Sequence, residues 1–109
     1  MTGDALDEII HQPLRLKIMA ALAALPDSEK VPFVRLKTIT GATDGNLSHQ
    51  IKVLQDAGYV TVEKDFHRNR PRTRIILTAA GRRAFRSYVD NLHALLDGSG
   101  IRETPAEEP

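Results

Sequence analysis

The sequence predicts a mainly α fold with one small antiparallel β-hairpin, packed as a single domain. Three observations point there. Several stretches repeat apolar residues at helical spacing. One stretch near the middle alternates apolar and polar residues in the manner of a strand. Pro and Gly fall between these stretches. The 109 residues suit one domain and leave no room for a second. With three Phe, two Tyr and no Trp, aliphatic side chains must fill the core.

Residues 4–12 place Leu6, Ile9 and Ile10 on one helical face, so a first helix is expected there. Pro13 opens a second, because its missing N–H costs nothing at a helix start. Leu14, Ile18, Leu22 and Leu25 form the stripe of that helix, widened by Met19, and Pro26-Asp27-Ser28 ends it. Val31-Pro32-Phe33 is expected to be short and extended, since Pro32 biases Val31 away from helix. Phe33, Leu36 and Ile39 then predict a short helix over 34–40, with Gly41 as a left-handed cap.

Thr43 is a strong N-cap for the next helix, and Asp44 in its first turn suits the helix dipole. Leu47, Ile51 and Leu54 mark its buried side, and Gly58 closes it. Its other side carries Asn46, Ser48, His49 and Lys52, all polar. A strand follows, with Val60, Val62 and Phe66 on its buried face and Thr61, Glu63 and Asp65 on the other. Its partner is Arg74-Ile75-Ile76-Leu77. Residues 67–72 between them are expected to form a projecting loop, too long for a two-residue turn. Thr78 caps a last helix reaching Leu96, roughly 28 Å long at 1.5 Å per residue.

Charge is distributed unevenly. The chain carries a net +1, yet from Thr43 to Arg86 there are nine Lys/Arg against four Asp/Glu. That asymmetry implies a directed basic surface. No cysteine is present, which excludes disulfides and thiolate metal sites. No apolar run nears the roughly 18 residues of a membrane span, so no membrane partner is expected. Met1 to Ala5 is acidic where a secretory leader would be basic, so the cytoplasm is the expected compartment.

Two helices about three residues apart, with Gly at the turn, form a helix-turn-helix. The first braces the second, whose polar face can then enter a DNA major groove. Thr43, Asp44, Asn46, Ser48, His49 and Lys52 are the expected contacts from that helix. Asn46 can pair bidentately with adenine. Arg68, Arg70 and Arg72 alternate in the hairpin tip and are expected to reach the minor groove and phosphates. Double-stranded DNA is thus the expected partner, and helix plus basic hairpin together are far more specific than either alone.

Catalysis is not expected. Ser48 and His49 are adjacent on a helix and point about 100° apart, so no Ser–His relay forms. Glu63 and Asp65 share an exposed strand face and read as solvated or paired with arginines. His11, His49, His67 and His93 are scattered singly, with no two-ligand spacing, so no metal or other cofactor is expected.

Leu14-Arg15-Leu16-Lys17-Ile18-Met19 after Pro13 resembles the opening of ArsR- and MarR-like winged helix regulators. Gly45-Asn46-Leu47-Ser48-His49-Gln50-Ile51 and Leu54-Gln55-Asp56-Ala57-Gly58-Tyr59-Val60 resemble their recognition helix running into the wing. Pro71-Arg72-Thr73-Arg74 and Leu77-Thr78-Ala79-Ala80-Gly81-Arg82 resemble the second wing strand and the start of the last helix. The resemblance covers about residues 5–96 and is nearest to small stand-alone MarR-like proteins. It implies a homodimer on a pseudo-palindromic operator, often as a repressor. The metal-binding cysteines of the ArsR type are absent, and the chain is shorter than a typical MarR protein.

The last helix is longer than so small a domain needs. Its seam of Phe85, Tyr88, Leu92 and Leu95, with Val89 and Leu96 beside it, is expected to pair across a two-fold axis, aided by Leu6 and Ile9. Residues 1–97 are then the winged helix domain with its dimerisation helices, and 98–109 a disordered tail too polar to bury itself. Two rival readings remain beside this one: a winged helix that binds a protein instead of DNA, and an effector-responsive switch. The residues specify no small-molecule effector.

Overall fold

The computed structural model describes residues 6–98. Residues 1–5, where the first expected helix begins, and 99–109, nearly all of the expected tail, lie outside the described residues. The elements run α1 (Pro13–Ala23), β1 (Lys30–Pro32), α2 (Phe33–Thr40), α3 (Asp44–Asp56), β2 (Val60–His67), β3 (Arg70–Leu77) and α4 (Ala79–Leu96).

The stretch before α1 is not a helix, contrary to its periodicity. Asp7 Oδ1 accepts the N–H groups of Ile9 and Ile10, at 2.8 and 3.2 Å, and its carbonyl accepts that of His11. These local bonds close a turn in place of a helical ladder. Pro13 then holds Gln12 extended. Gln12 caps α1 instead, its Oε1 accepting the Arg15 N–H at 2.8 Å. The turn drops Ile10 fully into the core.

α1 buries Leu14, Ile18, Met19 and Leu22, as its spacing predicts. It ends at Ala23, so Leu25 lies beyond it, half-buried in the following turn. Arg82 on α4 donates to the Ala23 and Leu25 carbonyls, each at 3.2 Å, and pairs with Asp27 at 2.9 Å. One guanidinium thus satisfies the Ala23 carbonyl that the helix end leaves open and the Leu25 carbonyl in the turn after it.

α2 buries Leu36 and Thr40, with Phe33 half-buried. Ile39, expected inside, is 51% exposed. Thr40 takes the inner position because its hydroxyl donates to the Leu36 carbonyl at 2.8 Å, which leaves its methyl for the core. Gly41 ends α2 at φ 71°, the left-handed cap the sequence indicates.

The three strands order β1-β3-β2, all antiparallel. Val31 sits opposite Ile75 and Val62 opposite the same residue from the other side. The hairpin differs from expectation. β2 and β3 pair as far as His67 and Arg70, and only Arg68 and Asn69 connect them. Both have positive φ, 55° and 65°, as a tight primed turn requires. The projecting loop over 67–72 is therefore a two-residue turn at the end of a long ribbon. That ribbon outruns the core, and Phe66 is 72% exposed near its tip.

Thr78 caps α4 by accepting the Gly81 N–H at 2.9 Å. Gly81 packs on the chain at Tyr59: a Cβ there would sit 2.1 Å from the Tyr59 carbonyl oxygen. Tyr88 is 2% exposed, and its hydroxyl lies 2.8 Å from His11 Nδ1. The seam residue Tyr88 is thus core within the chain itself. Leu95 and Leu96 are 45% and 72% exposed, while Phe85, Val89 and Leu92 pack on the rim of the core.

Candidate nucleic-acid interface

α3 starts where its sequence says it should, with Thr43 Oγ1 accepting the Asn46 N–H at 3.2 Å. Its buried side is Leu47, Gln50, Ile51 and Leu54, seated against the core. At 100° per residue, Gly45, His49 and Lys52 centre the opposite side. Asn46 lies at the edge nearest α1, and Ser48 at the edge nearest the hairpin. Asn46, Ser48, His49 and Lys52 are all exposed.

Two of the contacts expected from α3 are ion-paired within the chain. Asp44 pairs with Lys37 of α2 at 2.7 Å, which ties the two helices of the helix-turn-helix together. Lys52 pairs with Asp56 one turn on, at 2.6 Å. Both pairs are exposed, so each holds its side chain loosely.

The hairpin has two chemically distinct faces. On one, Asp65 binds Arg72 through Nε at 2.7 Å, and Arg74 bridges Glu63 and Asp65 at 2.9 and 3.1 Å. Lys30 of β1 joins at Glu63, 3.2 Å away. The hydrogen bond from Arg72, helped by the charges of Arg72 and Arg74, holds the Asp65 carboxyl below the usual carboxylate range against some desolvation. Arg72 is correspondingly raised by Asp65. Its charge is thus committed inside the hairpin, unlike the free phosphate contact the sequence suggested. Of the expected arginines, Arg68 sits in the turn and Arg70 at the start of β3, both exposed.

The other face turns toward α3. There Val62 pairs with Ile75, Lys64 with Thr73, and Phe66 with Pro71. Between this face and α3 runs a groove of about 520 Å³, floored by Phe33, Ile51, Val62 and Ile75 and edged by Ser48, Lys52, Gln55, Lys64 and Thr73. Among the described residues, Lys64, Arg68 and Arg70 form no ion pair. Lys64 was missed by the sequence reading, although its alternation with Val62 and Phe66 places it on the α3 side.

Behind α3 lies a second feature without a sequence signal. Arg15 of α1 donates through Nε to the Ile9 carbonyl at 2.5 Å and through Nη1 to Gln50 Oε1 at 2.6 Å. Gln50 Nε2 in turn donates to Asn46 Oδ1 at 3.3 Å. No spacing links Arg15 to Gln50; only the packing of α1 on α3 brings them together. No group of three or more His, Asp or Glu able to hold a metal forms among the described residues, and none of their helices is long and apolar enough to cross a membrane.

The arrangement, an outward polar helix beside a basic ribbon, has counterparts in known proteins. A family model described as a winged helix DNA-binding domain matches residues 14–96. A protein of Methanocaldococcus jannaschii is 38% identical over 82 residues, which cover 75% of this chain and 86% of that one. The structure of a transcriptional regulator homologue from Pyrococcus horikoshii superimposes with a TM-score of 0.77 at 32% identity, over 85% of this chain and 89% of the other. A MarR family transcriptional regulator from Silicibacter pomeroyi gives 0.65 at 25% identity over 89% of this chain, which spans 62% of that longer protein. Family and fold are those of transcriptional regulators and not of enzymes. The chain therefore belongs to the winged helix DNA-binding domain family, with the fold of the MarR-like regulators.

Proposed function

We propose that the protein is a homodimeric transcriptional regulator that binds a pseudo-palindromic operator and represses by occupying it. α3 enters the major groove, and the β2–β3 ribbon lies over the adjacent backbone and minor groove. Asn46, Ser48 and His49 read bases, while Lys52, Lys64, Arg68 and Arg70 hold phosphates or the minor-groove wall. Thr43 and Asp44 act from the helix start, Thr43 through its cap and Asp44 by fixing α3 to α2.

The observation that carries this reading is the one-sided burial of α3. Leu47, Gln50, Ile51 and Leu54 anchor it, and its polar side stays open beside a ribbon with exposed basic residues. One-sided burial is usual for a surface helix; here the open side carries polar side chains and lies beside basic residues, which suits a DNA groove. The dimer is supported by α4, where Leu95 and Leu96 extend the apolar rim of Phe85, Val89 and Leu92 into solvent. Leu6 and Ile9, both half-buried on the core, lie in the N-terminal turn proposed to join that contact. To bind successive major grooves, the two copies of α3 must lie about 34 Å apart, one turn of DNA.

A gel-shift titration with random duplex at low and moderate salt, followed by selection from a random pool, tests the reading. Salt-dependent binding with an enriched inverted repeat is expected. Absence of binding at low salt would overturn it and favour an acidic protein as the partner of the same face.

A further inference from the structure

The Asn46 amide can offer a base either its oxygen or its nitrogen, and the sequence leaves the choice open. The structure closes it from behind. A guanidinium has only donors. Gln50 must therefore turn Oε1 toward Arg15, as it does at 2.6 Å. Its Nε2 is then left facing Asn46, and a donor there needs an acceptor. Asn46 supplies Oδ1, 3.3 Å away. Gln50 is 8% exposed, so water can do little to replace either bond. Arg15 is itself fixed by the Ile9 carbonyl. The relay leaves the Asn46 Nδ2 group, with its two N–H donors, as the end that faces outward.

We infer that the Arg15–Gln50 pair sets Asn46 as a donor toward DNA, so that Asn46 excludes cytosine, the one base without a major-groove acceptor, at the position it meets. Guanine O6 and N7, thymine O4 and adenine N7 accept hydrogen bonds in the major groove; cytosine offers only its N4 donor, and adenine N6 donates beside N7. The bidentate adenine pairing suggested by the residue type needs Oδ1 and Nδ2 together, and Oδ1 is turned inward. Gln50 is thus a positioning residue that never touches DNA. The inference rests on the DNA-binding reading above.

The test compares bases recovered from random duplex pools by the wild-type dimer and by three variants. Asn46→Ala locates the position, as the one where preference is lost. In Gln50→Glu the carboxylate still pairs with Arg15 but accepts only. Asn46 must then present Nδ2 inward and Oδ1 outward. The exclusion should change from cytosine to guanine and thymine, which have no major-groove donor, by roughly 5- to 150-fold in relative affinity. Arg15→Met removes the donor that holds Gln50 Oε1, so both amides can turn over and the exclusion of cytosine should relax; it decides the matter should Gln50→Glu fail to fold. A merely structural Gln50 would weaken binding to all sequences and change no preference. An unchanged preference in both variants, or cytosine preferred by the wild type, overturns the inference. A wild type that binds no duplex fails at the earlier step and overturns the DNA-binding reading itself.

Discussion

Asp65 and Arg72 face each other across the hairpin, with Arg72 Nε 2.7 Å from Asp65 Oδ1. The pair divides the arginines of the hairpin into two groups. Arg72 and Arg74 serve the ribbon, and Arg68 and Arg70 at its tip remain for a partner. Arg70→Ala is therefore expected to weaken binding to every duplex and to reduce the slope of log Kd against log salt by about one. Arg72→Ala should leave that slope nearly unchanged. Equal slopes for the two variants would show that the pair opens on binding.

Lys64 faces α3 across the groove and should behave like Arg70. Lys64→Ala is expected to lower affinity without regard to sequence and to take about one from the salt slope. A loss confined to one base position would instead make it a base contact.

Leu95 and Leu96 project from the last turn of α4 and do not fill the core. Replacing both by Glu should produce monomers in sedimentation at concentrations where the wild type is dimeric. Far-ultraviolet circular dichroism should remain that of the folded chain. A dimer that persists would place the two-fold elsewhere.

Gly81 admits no side chain. A Cβ would meet the Tyr59 carbonyl oxygen at 2.1 Å and Leu77 Cδ1 at 2.9 Å. Because the oxygen belongs to the backbone, the start of α4 would have to move. Gly81→Ala should cost about 2 kcal/mol by urea denaturation, although alanine is the better helix former. A gain in stability would mean that α4 shifts freely.

Tyr59 donates to Asp7 Oδ2 at 2.5 Å, tying the N-terminal turn to the start of β2. Burial first, then this bond and the Asp7 charge, push its phenol up to about 12 from 10.0. A raised pKa means that the folded state holds the proton more tightly. The stabilisation is complete below pH 10 and is lost as pH rises through about 12. The stability gap between wild type and Tyr59→Phe, measured by urea denaturation, should close over that window. A gap independent of pH would detach Tyr59 from Asp7.

Much of the architecture could be read along the chain. Thr43 and Thr78 cap helices, Gly41 ends one, and Leu47, Ile51 and Leu54 mark a buried stripe, because caps and periodicity act over a few residues. The errors also have local causes. Arg68-Asn69 lacks the glycine that usually signals a primed turn. Residues 4–12 have helical spacing, but the Asp7 side chain takes the N–H groups of Ile9 and Ile10.

By itself the sequence determined the helix-turn-helix, the hairpin after it and the polar residues along α3, since each follows from neighbours in the chain. Only the tertiary structure decided which charges are free, which way the ribbon faces, that Tyr88 is core, and how Asn46 is held. Those depend on partners far away in sequence: Asp65 for Arg72 across the hairpin, His11 for Tyr88, and Arg15 for Gln50 between two helices. Periodicity tells a side chain which way to turn, but only packing brings it the atom that it meets.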